Sequence, residues 1–405
     1  MRRVVVTGIG VVTPIGIGRE RFWNQVLNCA NGIGEVTSFD TANYKVHRGG
    51  ELRGFHAHEH VLRQNANEMG RTSQLAIAAA RLAVRDADWN AQLHRPERTG
   101  VCMGTTSGEA PVVEIFDESL VEGSPERIDP RFINTYPCHT IAVHIAREFG
   151  FGGVNMVIPA ACAAGNYAIA HAYDMLRTQR ADVMLAGGAD AFSRITYTGF
   201  ARLGAISPDL CRPFDRNRRG MIPGEGAAVL VLEPLDRAIQ RRAHIYAEVA
   251  GYGLSCDAHH MTAAHPEGEG AARAMTQALR TSRLNYDDVS YISAHGTGTK
   301  LSDRIETKAV KQVFNGAAYK IPMSSIKSMI GHTMGAASAI EAAVCALAVD
   351  QDRVPPTANW ETRDPECDLD YVTTGAREQL ITVAMSNAYA FGGNNASLVL
   401  RKCAV

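Results

Sequence analysis

The sequence predicts an α/β fold in which a mixed sheet is buried between helices and the chain forms two similar halves. Three observations carry this expectation. Short apolar runs ending on glycine or small residues read as buried strands: Val4–Thr7, Gly100–Met103, Val183–Ala186 and Ala227–Leu232. Between them lie stretches with apolar residues at helical spacing, among them the alanine-rich Thr72–Ala87 and Cys162–Thr178. The same alternation then begins again, and 405 residues exceed one ordinary domain.

In chain order, Met1–Gly8 reads as a buried strand running into a glycine turn, without the long apolar stretch and cleavage site of a signal peptide. Val154–Ile158 is strand-like and leads into Cys162, where a helical pattern starts. A charged helical segment, Asp236–Ala243, follows the run to Leu232 and marks the change of half. Ala247–Gly253 opens the second half as a strand, followed by a helix at Gly270–Arg280, a strand at Val289–Ala294 and an alanine-rich helix at Gly335–Ala348. Ile381–Ser386 and Ala396–Leu400 are the expected closing strands. The halves are expected to be residues 1–242 and 243–405, with a site between them, a common place for pockets.

Composition narrows the function classes. The apolar fraction of 46% and charged fraction of 20% suit a globular protein with a substantial core. A net charge of −1 supplies no global field toward nucleic acid or an anionic membrane. No run of about 18 apolar residues stands out, which argues against a membrane span and, with no export signal, for the cytoplasm. Nine cysteines without CxxC pairs make neither a disulfide framework nor a zinc site. With no ligand cluster and no dinucleotide fingerprint, no metal or organic cofactor is expected.

Four segments carry possible chemistry. In Pro159–Asn166, Cys162 stands at a strand-to-helix turn, where unpaired N–H groups and the positive end of the dipole favour a thiolate. A buried structural cysteine is the commoner fate of such a residue taken alone. Ser293–Thr299 presents His295 at a strand end, followed by glycines and hydroxyls; the bland alternative is a loop histidine capping backbone. Ser324–His332 places Lys327 and His332 five apart in a glycine- and serine-rich loop, where a lone lysine is usually solvated. Asn387–Asn395 is a glycine turn between strands, able to aim N–H groups at an oxyanion or to serve as plain punctuation.

In combination and order these segments resemble the β-ketoacyl-acyl-carrier-protein synthases, specifically the elongating kind with a Cys-His-His site. The resemblance runs almost end to end, from VVVTGIGVVTPIG through PFDRNRRGMIPGEGA, HGTGT and KSMIGHTMGAA to the FGGNN turn. It implies the thiolase fold, two similar halves in a five-layered αβαβα core, normally dimeric. Cys162 would be the nucleophile that takes an acyl chain from a carrier-protein thioester. His295 and His332 would stabilise the enolate formed when malonyl-carrier protein loses CO2. Lys327 and Glu306 match the supporting pair that orients the histidines, and Phe391 the gate between the nucleophile and the malonyl side. The N–H groups of Cys162 and Phe391 match the oxyanion hole. Thr297 and Thr299 match the hydroxyls that bind the phosphopantetheine arm, which arrives on the carrier protein, and Gly392 and Gly393 complete the substrate-binding turn. Asp303, in the same loop as the HGTGT motif, is equally readable as structural.

The chain also departs from the pattern. Asn394 replaces the usual threonine, Ala163-Ala164 the usual Thr-Ser, and Ser107 stands where a bulky apolar residue often closes the acyl pocket. A small polar residue there implies a wider or more polar tunnel, which favours a specialised synthase extending a polyketide or polyene chain over one that elongates only fatty acids. The resemblance further implies an acidic acyl carrier protein as partner, with Arg63, Arg71, Arg127 and Arg212 at or near the docking positions and Arg216, Arg218 and Arg219 adding charge. A homodimer, or a heterodimer with a chain-length-factor-like subunit, is expected. The alternative, that this chain is itself the non-catalytic subunit, conflicts with the presence of Cys162, His295, Lys327 and His332.

Overall fold

The computed structural model describes residues 2–89, 95–124, 126 and 128–404. The first half builds β1 (Val4–Thr13), β2 (Thr99–Gly104), β3 (Asn155–Ile158), β4 (Val183–Asp190) and β5 (Gly226–Pro234). They lie in the order β3-β2-β4-β5-β1, with β2 parallel to β3 and β4, and β5 antiparallel to β4 and β1. The second half builds β6 (Ala247–Cys256), β7 (Tyr291–Ser293), β8 (Met323–Ser324), β9 (Val383–Tyr389) and β10 (Asn394–Arg401). Their order, β8-β7-β9-β10-β6, repeats the first path strand for strand and sense for sense. Antiparallel pairing of Val4–Val6 with Ala247–Val249 joins the two sets.

Among the helices are α1 (Arg71–Asp86), α2 (Ala110–Val121), α3 (Thr140–Phe149), α4 (Ala164–Arg177), α5 (Arg194–Arg202), α6 (Glu269–Ser282), α7 (Lys300–Phe314) and α8 (Ala337–Gln351). Helices α1 and α3 cover the outer face of the first sheet, and α6 and α7 that of the second; α4 and α8 pack on each other between the sheets. That is the αβαβα layering expected. A layer covered on both sides must be apolar all round, and α8 is buried at every position from Ala337 to Val349.

Met334–Gln351 is long and apolar enough by composition to cross a membrane, yet 89% of it is buried inside the protein. One expectation changes. The expected glycine turn at Gly8 is instead continuous strand to Thr13. There the glycines admit the backbone of α1: a Cβ at Gly10 would stand 1.9 Å from the Ala79 carbonyl oxygen, and one at Gly8 2.4 Å from that of Ala83.

Candidate active site

The chain leaves β3 through Pro159-Ala160 and turns sharply at Ala161, whose φ of 47° is left-handed. A 3-10 turn, Ala161–Ala163, then carries Cys162 before α4 begins. This turn packs against the Met334–Ala336 turn and the Phe391–Gly393 turn, so the three motifs far apart in sequence converge on the sulfur. Cys162 is 7% exposed. Burial pushes its thiol up to about 12, with the Lys327 charge opposing. Loss of hydration thus opposes the thiolate that the helix N-terminus favours.

His295 follows β7 directly. Both oxygens of Glu306, on α7, accept backbone N–H groups at 2.8 Å, one from His295 and one from Gly296. Asp303 lies in the first turn of α7 rather than in the loop, and accepts the N–H groups of Gly298 at 3.1 Å and Phe214 at 2.8 Å. It ties the histidine loop to the Pro213-Phe214 segment, which is a structural role. His332 receives the Met334 N–H on Nδ1 at 3.1 Å. The proton of a neutral His332 must then sit on Nε2, a donor. The two rings stand 5.6 Å apart at 83°. Burial, reinforced by the Lys327 charge, holds both histidines well below the usual 6.5, so both are neutral at physiological pH.

Lys327 opens a one-turn helix, Lys327–Ile330, and does not lie in an open loop. Its ammonium bonds the His295 carbonyl oxygen at 2.5 Å and pairs with Glu341 of α8. Lys327 and Glu306 thus hold His295 from two sides, one through its carbonyl and the other through its N–H. Glu341 escaped the sequence reading, although a carboxylate inside an alanine-rich helix was its signal. Tyr389, whose ring lies 5.7 Å from His295, and Asp190 were also missed.

Cys162, His295, His332, Thr297, Thr299 and Phe391 share one cavity of about 380 Å³. The hydroxyls of Thr297 and Thr299 lie 3.0 Å apart, and the Phe391 ring packs 5.4 Å from Phe200. Gly392 and Gly393 do not offer their N–H groups to this space; they donate to the carbonyls of Met261 and Ala390. Ser107 is also outside it, with its N–H on Asp190 and its hydroxyl 3.2 Å from Thr196 of α5. A larger hollow of about 750 Å³, lined by Phe116 and Phe132, holds none of the catalytic candidates. Among the described residues no three His, Cys, Asp or Glu side chains converge as a metal ion would require.

The arginines expected at a docking surface divide. Arg127 lies outside the described residues. Arg63 is exposed. Arg71 is partly exposed, and its guanidinium makes two 2.7 Å bonds to the buried Glu225. The surface charge expected of Arg218 is corrected: its side chain is buried between Asp303 and Asp364. Arg212 pairs with Glu361 at 3.0 Å, Arg219 with Asp209 at 2.8 Å, and Arg216 is exposed.

Known proteins share this arrangement. Residues 1–238 match the beta-ketoacyl synthase N-terminal domain and residues 246–361 the C-terminal domain. The chain is 40% identical to the 3-oxoacyl-[acyl-carrier-protein] synthase 2 of Staphylococcus aureus, over 99% of this chain and 98% of that protein. It is likewise 40% identical to that of Synechocystis, over the same shares. Among solved structures, the ishigamide ketosynthase/chain length factor superposes with TM-score 0.96 at 40% identity, covering both chains fully. A type II polyketide acyl-carrier protein in complex with its ketosynthase bound to the hexaketide gives 0.93 at 33%, again covering both chains fully. With both domains matched in order around one cysteine and two neutral histidines, this chain belongs to the β-ketoacyl synthase family.

Proposed function

We propose that this chain elongates acyl chains by decarboxylative condensation, with Cys162 as nucleophile and His295 and His332 as donors to the enolate. The observation that carries the reading is the shared cavity, in which a thiol faces two imidazoles that burial keeps neutral. In the first half-reaction the Cys162 sulfur attacks the acyl thioester. A new C–S bond forms, and the carrier's pantetheine thiol leaves with the proton. The N–H groups of Cys162 and Phe391 stabilise the tetrahedral oxyanion. In the second, the malonyl C–CO2 bond breaks and its electrons pass to the thioester oxygen, where the imidazole N–H groups receive the developing charge. The carbanion then attacks the acyl-enzyme, a C–C bond forms, and Cys162 is released. Lys327 and Glu306 hold His295, Phe391 gates the malonyl side, and Thr297 and Thr299 line the path of the phosphopantetheine arm. The halves divide at residues 242 and 243.

The enzyme works in the cytoplasm with an acyl carrier protein, as a homodimer or with a chain-length-factor-like partner. The likeness to the ishigamide ketosynthase/chain length factor supports the heterodimer. The likeness to the ishigamide and type II polyketide ketosynthases supports a specialised polyketide or polyene pathway over fatty-acid elongation. Comparing turnover of saturated and polyunsaturated acyl-carrier substrates tests this: preference for unsaturated chains is expected, and equal or better use of saturated chains contradicts it. The second reading, a non-catalytic subunit, is set against by the intact Cys162, His295, His332 and Lys327.

A further inference from the structure

β4 ends on Asp190, whose side chain is buried at 1% exposure. A carboxylate in the interior persists only if donors replace its water, and four converge on this one. Oδ1 accepts the Thr105 hydroxyl at 2.8 Å and the Ser107 N–H at 3.0 Å. Oδ2 accepts the Thr106 N–H at 2.8 Å and the Gly335 N–H at 2.6 Å. Three donors therefore come from the loop that leaves β2, and the fourth from the turn between His332 and α8. One carboxylate fastens a loop of the first half to the histidine turn of the second.

The two loops are in contact with no room between them. A Cβ at Gly335 would stand 2.5 Å from the Thr105 carbonyl carbon, 2.5 Å from the Thr106 nitrogen and 2.6 Å from Asp190 Oδ2. The Gly335 N–H held by Asp190 belongs to the peptide next after the Met334 N–H that rests on His332 Nδ1. Met334 itself has φ of 53°, a left-handed conformation that a side-chain-bearing residue keeps only under constraint from its surroundings. The bond from Gly335 to Asp190 is such a constraint.

From these contacts we infer that Asp190 is a positioning residue for the condensation: through Gly335 and Met334 it holds His332 as an Nε2–H donor, fastened to the Thr105–Ser107 loop. It touches no reacting atom, and the inference rests on the proposed role of His332. Without the carboxylate, Met334 relaxes out of the left-handed region, its N–H leaves Nδ1, and the imidazole no longer keeps one tautomer. The loss then falls on decarboxylation, where His332 donates, and spares acylation of Cys162.

Asp190→Asn tests this, because it keeps the size but turns one accepting oxygen into an amide group that faces N–H donors. Thr105→Val is the milder variant, removing one hydroxyl donor. Two rates are read on folded enzyme: acylation of Cys162 by intact mass, and CO2 release from malonyl-carrier protein by pre-acylated enzyme. Asp190→Asn is expected to slow CO2 release by roughly tenfold or more, the effect of losing one charge-assisted hydrogen bond, with acylation within about twofold. In a His332→Ala background it is expected to have no further effect, since nothing remains to be positioned. Equal losses in both rates, or an additive loss in the double variant, overturn the inference. If Asp190→Asn does not fold, the same cycle with Thr105→Val decides by the same criterion. If His332→Ala alone leaves CO2 release unchanged, the reading of His332 falls and this inference with it. A strong His332→Ala defect beside a silent Asp190→Asn overturns only the inference.

Discussion

Replacing Lys327 with methionine separates what the Lys327–Glu341 pair does for stability from what it does for catalysis. Both side chains are almost fully buried, 1% and 2% exposed. Taking away the ammonium strands a carboxylate in the interior, and breaking a buried pair from one side destabilises by about 3–5 kcal/mol. Glu341 limits the damage by taking up a proton, since burial already pushes it up to about 7 against the Lys327 charge. Holding that proton at neutral pH, on a carboxyl with an unperturbed value near 4.5, costs about 3 kcal/mol, so the lower end of the range applies. The sign follows from a folded-state value raised above the unfolded one. Such a group contributes its full stability below the unfolded value and loses it as pH rises, so the deficit of Lys327→Met shrinks toward about pH 4.5. A Lys327→Met/Glu341→Met double variant removes both charges and restores stability to within about 1 kcal/mol of wild type.

Neither variant regains activity. Both lack the bond to the His295 carbonyl and the charge that helps keep the histidines neutral, so CO2 release falls roughly 10- to 100-fold, the loss typical of outer supporting groups. With the cation gone both histidines titrate higher, so the acid limb of the rate profile moves up in pH. Urea unfolding followed by tryptophan fluorescence, at neutral and acid pH, measures the first effect, and CO2 release measures the second. A single variant as stable as wild type at neutral pH, or a double variant no more stable than the single, refutes the reasoning.

Other predictions follow from the same geometry. His332→Ala removes a donor whose proton is fixed on Nε2; condensation is expected to fall about 10²- to 10³-fold while Cys162 still becomes acylated, as separate half-reaction assays show. Because burial pushes the Cys162 thiol up to about 12, its alkylation by iodoacetamide is expected to rise about tenfold per pH unit across roughly pH 6 to 9 without levelling. A plateau within that range, followed by intact mass, contradicts a thiol raised that far. Arg212→Glu and Arg127→Glu are expected to weaken carrier-protein binding at low salt and flatten its salt dependence; unchanged affinity removes both from the docking surface.

What the sequence made legible was local. The cysteine turn, the HGTGT loop and the glycine turn before Asn394 each announce themselves within a few residues, and family order binds them together. What it hid were side chains whose meaning lies in a distant partner. Arg71 reads as surface charge until Glu225, 154 residues on, takes one edge of its guanidinium with both carboxylate oxygens. Arg218 sits in a run of arginines, yet it folds inward between Asp303 and Asp364. Asp190 looks like the end of any strand, and only folding brings Gly335 to it. The burial of Cys162 was hidden for a related reason. A helix N-terminus is visible in sequence, whereas the depth of burial that opposes its effect is set by turns arriving from residues 334 and 391.

The central claim is that Cys162 carries the growing chain and discharges it onto a malonyl-derived carbanion. Intact-protein mass spectrometry of wild type and Cys162→Ala, mixed with acyl-carrier proteins of several chain lengths and unsaturations, tests it most directly. Wild type is predicted to gain the mass of the acyl group and lose it when malonyl-carrier protein is added, and the folded Cys162→Ala variant to gain nothing. Acylation that persists in Cys162→Ala, or no acylation of wild type by any chain, contradicts the account.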